Sequence, residues 1–318
     1  MLAAWLPSWS PKRKLVLLPL VAIGFILYQS WHIAALSYKP TLGLDSSPPS
    51  TASIFPNKIW YKLGPKGLSD NAKVWTKSCT ELNPNYHAEF LTDTSADQWV
   101  MDKYAHRPEI LESYLGLSVP ILKADFLRYL LLYEEGGVWF DLDVSCEVPI
   151  DDWVPAHYQN NTSLLVGWEF DMGWGYNIIH QLESWSLAAK PKLPHMMVAI
   201  EEISQSLHRI ASEKQTTISG VTLSMVGDVV DFTGPRRLTR SIFKEVQRAL
   251  GLEDSEFAPL ENSTWFLTEP KLLGEVLILP GFSFSSSMNK YEEAEVTGPP
   301  LVTHHYAGSW KNDHGGEQ

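Results

Sequence analysis

The chain has 318 residues, 44% of them hydrophobic, with 13 Trp, 12 Tyr and 12 Phe, which is enough for one substantial core but too short for several independent domains. Its formal charge of −12 excludes a binder of nucleic-acid backbones, which needs clustered Lys and Arg, yet an anionic nucleotide remains admissible because one bound cation reverses the field inside a cleft. With 2 cysteines, Cys79 and Cys146, a disulfide framework and a Cys-based zinc cluster are excluded; the two would form one bridge in an oxidising lumen, while two separate buried thiols are the simpler reading.

Residues 1–14 read as a cytoplasmic tail ending in Lys12, Arg13 and Lys14. The apolar run 15–36 that follows is about as long as a bilayer span, ~20 residues. A basic flank on its N-terminal side implies a single-pass type II signal anchor, with everything after Leu36 luminal. A cleaved signal peptide is the rival, but Ala34-Ala35-Leu36 lacks a clean small-x-small site. Residues 37–53, with Ser46-Ser47-Pro48-Pro49-Ser50-Thr51, read as a stem.

Residues 54–318 alternate strand-like and helix-like patterns, the signature of a single α/β domain without internal repeats. Lys58 to Tyr61 is a strand, and a helix opens near Ser69 with Ala72, Trp75, Cys79 and Leu82 at helical spacing. Tyr86, Ala88 and Phe90 alternate as a second strand. Ile121 to Glu135 is a long apolar helix stopped by Gly136-Gly137, and Val138-Trp139-Phe140 then enters as a buried strand. Leu164 to Trp168 and Val276 to Leu279 are further strands, and Met196 to Arg209 and Pro235 to Leu250 are helices. Asn160, Asn161 and Asn262 each begin an N-glycosylation acceptor pattern, which suits a luminal domain.

The chemistry concentrates in Lys123-Ala124-Asp125-Phe126-Leu127-Arg128-Tyr129 and in Gly136-Gly137-Val138-Trp139-Phe140-Asp141-Leu142-Asp143. On an extended chain Asp141 and Asp143 project to one side and Leu142 to the core, so both acids converge on one cation. Hard carboxylate oxygens suit Mn²⁺ or Mg²⁺, ions that bridge protein acids to substrate phosphates. Asp125 and Arg128 stand three apart on an apolar helix, where a charge needs a specific partner.

The run from Ile121 through Pro149 resembles the sugar-binding, Asp-x-Asp region of glycosyltransferase family 32, in particular the fungal initiation-specific α-1,6-mannosyltransferases. Phe55-Pro56-Asn57-Lys58-Ile59-Trp60 resembles that family's opening strand. Gly227-Asp228-Val229-Val230-Asp231-Phe232-Thr233-Gly234-Pro235 resembles its central loop, and His304-His305-Tyr306-Ala307-Gly308-Ser309-Trp310 its closing motif. The resemblance implies a Rossmann-like GT-A fold, a GDP-mannose donor, a divalent metal (Mn²⁺ or Mg²⁺) and transfer with retention. It further implies an N-linked glycan acceptor, the Golgi membrane, and membership of a mannosyltransferase complex.

By similarity to the related glucosylating bacterial toxins, Asp125 and Arg128 would hold the donor sugar, and Asp141 and Asp143 the ribose and the metal. Trp139 stands where those toxins carry Tyr, so stacking or packing is expected of it. The resemblance favours His304 or His305 as a further metal ligand and the Trp310 indole as a donor to the leaving phosphate or glycosidic oxygen, over an ordinary terminal strand with a packed Trp. Trp60, at the end of the first strand, either stacks on the guanine base or packs in the core. Glu169, Asp171, Asp228 and Asp231 are the carboxylates eligible to lie beneath the anomeric carbon. The alternatives are a mannosyltransferase acting on inositol phosphoceramide, a glycolipid acceptor, and a catalytically silent luminal partner of another transferase. A metal-dependent hydrolase lacks a His-rich ligand set.

Overall fold

A computed structural model describes residues 53–176, 178–253, 257–292 and 298–308; the tail, the expected anchor, the stem up to residue 52 and Trp310 lie outside the described residues. No described helix is long and apolar enough to cross a membrane.

β1 (Lys58–Lys62) buries Ile59, Trp60 and Tyr61 completely. The helix expected near Ser69 is α1 (Asp70–Leu82), capped by the Ser69 hydroxyl, which accepts the Ala72 N–H at 3.0 Å. β2 (His87–Leu91) pairs parallel with β1. Two helices that the apolar pattern does not announce follow, α2 (Asp93–Tyr104) and α3 (Pro108–Gly116). In α2 only Ala96, Val100 and Tyr104 are buried, and Ser95 fills the capping-box position usually held by Glu or Gln, so both of its sequence signals are faint.

Pro120 opens α4 (Pro120–Glu135), which passes directly into β3 (Gly137–Phe140). Gly136 and Gly137 make this reversal at φ values of 65° and 96°. A Cβ on Gly136 would lie 2.6 Å from the Ala189 carbonyl oxygen, and one on Gly137 2.7 Å from that of Lys58, so the turn requires glycine at both positions. β4 (Val144–Cys146), β5 (Leu164–Phe170), β6 (Gln181–Leu182) and β7 (Ser186–Ala189) come next, then α5 (Pro194–Glu213) and α6 (Pro235–Leu250). β8 (Lys271–Leu273), β9 (Val276–Leu279) and β10 (Val302–His304) complete the described strands.

The main sheet has the order β2-β1-β3-β7-β5-β9-β8, with β6 paired to β5. β1, β2, β3, β5 and β9 share one direction, and β7 and β8 run against it. The parallel strands therefore end along a common edge, where open α/β sheets place their ligands.

Alternation divides the core between the two faces of the sheet. Trp60, Trp139, Val166, Trp168 and Ile278 pack with the apolar sides of α4, α5 and α6. Ile59, Tyr61, Val138, Phe140, Leu165 and Leu277 pack on the other side with Trp153 and Phe284.

The cysteines differ from the two-thiol expectation: Cys79 of α1 and Cys146 of β4 form a disulfide, with Cα atoms 4.7 Å apart. A sequence separation of 67 hides this pairing, which exists because α1 packs across β4.

Candidate active site

The site forms where β3 ends. The Asp141 N–H donates to the Trp185 carbonyl oxygen at 2.9 Å, and the Val144 N–H to the Asp141 carbonyl at 3.3 Å, so the chain turns immediately and returns as β4. Asp141 to Asp143 thus occupy a turn rather than the extended chain expected for them. Leu142 nonetheless packs toward the second core, as alternation would have it, and the two acids remain close enough for each to influence the other's titration.

From α4, the buried Arg128 reaches this turn. Its Nη1 donates to Asp125 Oδ1 at 2.7 Å and its Nη2 to Asp141 Oδ1 at 3.1 Å, while the guanidinium lies 5.0 Å from the centre of the Trp139 ring. The second Asp125 oxygen accepts the Thr233 hydroxyl at 2.8 Å, and the Tyr129 hydroxyl donates to the Thr233 carbonyl at 2.7 Å. The buried Asp125 is therefore fully engaged, and it ties the segment before α6 to α4. Trp139 does more than pack, since its indole N–H donates to Asp141 Oδ1 at 2.7 Å. Both donors to Asp141 use the same oxygen, which leaves Oδ2 without a hydrogen-bond donor among the described residues.

Asp143 is held from the opposite side by β10. His304 lies across from Val144 in the antiparallel pair, with its Nε2 3.3 Å from Asp143 Oδ1, and its ring stacks on Trp185 at 4.3 Å. The Ala307 N–H donates to Asp143 Oδ2 at 2.9 Å.

These contacts separate the two acids electrostatically. Burial, reinforced by the charge of Asp143, raises the Asp141 carboxyl above its ordinary value even though Arg128 opposes the shift. Burial also disfavours the charged Asp143, but the hydrogen bond and charge of His304, with the Ala307 N–H, hold it below the ordinary range. Arg128 is desolvated yet held above its usual value by Asp141 and Asp125, so it stays cationic.

The other expected residues are distributed as follows. Trp60 is fully buried, with its indole N–H given to the Gly136 carbonyl at 2.8 Å, so it has no face to offer a guanine base. His305 turns its ring to Ser145, 2.9 Å from the hydroxyl, and stacks on Trp75 at 4.3 Å; His304 is the histidine that reaches Asp143.

Asp171 is consumed by the Phe266 N–H at 2.8 Å and by His180 at 3.0 Å. Asp228 and Asp231 are both paired with Arg236 at 2.8 Å. Glu169 is buried beside Gln181, which donates to it at 2.8 Å, and burial raises its carboxyl. It lies within electrostatic reach of His304 and Asp141, which leaves it the best placed of the four carboxylates. Asn160, Asn161 and Asn262 are exposed.

The sequence reading missed Thr233 and Trp185 as supports of the site. Each acts only through a contact across the fold, so no local pattern could have marked it.

No cluster of three or more His, Cys, Asp or Glu side chains able to hold a metal is formed among the described residues. A Mn²⁺ or Mg²⁺ ion bound through one or two carboxylates and completed by substrate phosphates does not need one. Asp141 Oδ2, without a hydrogen-bond donor among the described residues, and the ionised Asp143 fit that demand.

Residues 69–160 match the family described as the glycosyltransferase sugar-binding region containing DXD motif. The initiation-specific alpha-1,6-mannosyltransferase of Saccharomyces cerevisiae is 32% identical, with 81% of this chain and 78% of that one covered. The enzyme of the same name from Candida albicans is 27% identical over 81% of this chain and 73% of its own. Among solved structures, the PaToxG glycosyltransferase matches 66% of this chain and 75% of its own at 14% identity and a TM-score of 0.44, a likeness too loose to support more.

Proposed function

The chain belongs to the family of the initiation-specific alpha-1,6-mannosyltransferases and is a glycosyltransferase with their DXD-containing sugar-binding region, and from that premise we propose that it transfers mannose from GDP-mannose to an N-linked glycan. The observation that carries this reading is the gathering of Arg128, Asp141, Asp143 and His304 at one sheet edge. In the proposed reaction the bond from the anomeric carbon to the diphosphate oxygen breaks, an acceptor hydroxyl oxygen takes its place with retention, and the hydroxyl proton leaves with the nucleotide diphosphate. Charge develops on the departing diphosphate as the sugar becomes oxocarbenium-like.

A divalent ion held by Asp141 and Asp143 would supply Lewis-acid stabilisation of that charge. Arg128 remains cationic and is fixed by two carboxylates, so it is preorganised as a donor toward a sugar or phosphate oxygen. Trp139 and Arg128 orient Asp141, and His304 and the Ala307 N–H orient Asp143. A GT-A-type fold, a luminal domain on a type II anchor and the Golgi membrane belong to the same proposal. The disulfide supports it, because such bonds persist in oxidising compartments.

The test is calorimetry on residues 54–318 with Mn²⁺, followed by transfer assays. GDP-mannose and GDP are expected to bind in preference to UDP-glucose and UDP-galactose, and mannose to pass to an N-glycan. Tighter binding of a UDP-sugar would overturn the donor assignment. Transfer only to inositol phosphoceramide would move the acceptor to a glycolipid, and no transfer or donor hydrolysis would indicate a silent partner.

A further inference from the structure

Beyond β5, residues 171–176 and 178–180 lie outside any helix or strand, with a base held by hydrogen bonds and two aromatic rings exposed above it. The backbone N–H groups of Asp171 and Met172 both donate to Asn289 Oδ1 at 2.9 Å, and the Lys290 N–H donates to the Met172 carbonyl at 3.0 Å. The buried Asp171 carboxylate accepts the Phe266 N–H at 2.8 Å and meets His180 at 3.0 Å, and His180 stacks on Trp265 at 3.9 Å. On this base stand Trp174, 45% exposed, and Tyr176, 75% exposed, the two exposed Trp, Tyr or Phe side chains among the described residues.

Neither ring is loose. The Trp174 indole N–H donates to the Met288 carbonyl at 2.6 Å, and its ring meets Phe170 edge-on at 5.5 Å. Tyr176 packs edge-on against Phe266 at 4.9 Å. Gly173 and Gly175, at φ values of 83° and 70°, flank Trp174 and supply backbone conformations that let the loop present both rings.

The loop begins at the end of β5, on the same sheet edge as Asp141 at the end of β3, with β7 alone between the two strands. Gly137 of β3 and Leu164 of β5 both stand level with Ala189 of β7, so β5 runs past the end of β3, and with two strand spacings between them the ends lie roughly 14 Å apart. That separation is too large for contact with the transferred sugar and suits saccharides further along an acceptor chain. Fixed aromatic faces offer large apolar area at low entropic cost, the surface that the C–H face of a hexose ring requires. A membrane is the poorer occupant, because residues 171–180 contain a carboxylate and no Lys or Arg to attract anionic headgroups.

We propose that Trp174 and Tyr176 form the acceptor platform, stacking on hexose rings of a mannose-rich oligosaccharide whose terminal hydroxyl reaches the Asp141–Asp143 site. The proposal rests on the mannosyltransferase reading and adds where the acceptor binds.

The test compares Trp174→Ala, Tyr176→Ala and Trp174→Phe with the full-length protein. It measures the KM for a mannose-rich oligosaccharide and for methyl mannoside, the calorimetric affinity for that oligosaccharide without donor, and GDP-mannose affinity. The alanine variants are expected to raise the oligosaccharide KM and weaken its binding about tenfold or more, with Trp174→Phe recovering part of the loss. Methyl mannoside KM, GDP-mannose affinity and kcat should stay within about twofold.

Unchanged oligosaccharide affinity in the alanine variants would overturn the platform, as would an equal loss of GDP-mannose affinity, which would assign the rings to the donor. Loss of binding to neutral or phosphatidylserine vesicles with an unchanged oligosaccharide KM would likewise overturn it in favour of a membrane contact. If the wild-type protein binds the oligosaccharide through these rings but transfers no mannose, the platform stands and the transfer reaction falls. If it transfers mannose and the variants keep their acceptor KM, the platform alone falls.

Discussion

Asp143 carries the sharpest expectation at the scale of single residues. Its carboxylate is kept ionised by His304 and the Ala307 N–H, so its charge is available to a cation. Asp143→Asn removes that charge while nearly preserving shape, and should lower mannose transfer by about 10²-fold or more, a loss of the size seen when a preorganised electrostatic contact is removed. Leu142→Ala is the control, because its side chain packs against core rather than facing the cation. It should lower the melting temperature while leaving Mn²⁺ affinity nearly unchanged. Mn²⁺ titration, thermal melting and transfer measured on both variants check the assignment; near-normal transfer by a folded Asp143→Asn protein would refute it.

Among the elements, α4 is the one on which the site and the sheet both depend, and it is fastened at each end. Near its start Asp125 and Arg128 join the turn after β3 and the segment before α6. At its end Glu135 meets Lys58 of β1, Lys103 of α2 at 3.1 Å and the Trp99 indole N–H at 3.0 Å. Partial burial would raise the Glu135 carboxyl, but Lys58, Lys103 and Trp99 overcome it and hold its pKa at about 2, against 4.5 for the free group.

A depressed folded-state pKa stabilises above the unfolded value and is lost as pH falls through the folded one. The contribution of Glu135 is therefore complete above pH 4.5 and disappears toward pH 2. Solvent around the two lysines screens the pairs, so Glu135→Gln should cost about 1–2 kcal/mol near neutral pH rather than the full shift. Urea unfolding from pH 7 to pH 3 checks this. A difference between wild type and variant that does not shrink on acidification would show that the ion pairs contribute nothing.

For the whole molecule, the Cys79–Cys146 bond joins α1 to the β4–β10 pair that carries His304 and lies next to Asp143. Closing a loop of 67 residues constrains the unfolded chain, and the paired Cys79→Ser and Cys146→Ser change should cost about 2–4 kcal/mol. Unfolding midpoints of the variant measure that cost. Thiol labelling of protein made in intact microsomes, with protease added outside, measures whether the bond forms in a shielded lumen. Two free thiols, or digestion of the catalytic domain without detergent, would contradict the luminal proposal.

The sequence by itself determined the α/β class, the helix read from 121 to 135 and the buried strand after it, and it singled out the Asp-x-Asp pair. Each is written locally, in apolar runs, in Pro120 at the start and Gly136-Gly137 at the end, and in two acids two residues apart. It also pointed to Arg128, since a charge in an apolar helix needs a partner. Only the tertiary structure decided which partner.

The strand β7, Ser186–Ala189, has no β-branched or aromatic residue and carries no strong strand signal, yet it sits fully buried between β3 and β5 because neighbours on both sides complete its hydrogen bonds. Tertiary packing likewise sent Trp60 into the core, joined the cysteines and chose His304 over His305. It also consumed Asp171, Asp228 and Asp231 in ion pairs and loop supports. A short-range pattern reports the periodicity of burial, whereas the availability of a side chain depends on what arrives from distant parts of the chain.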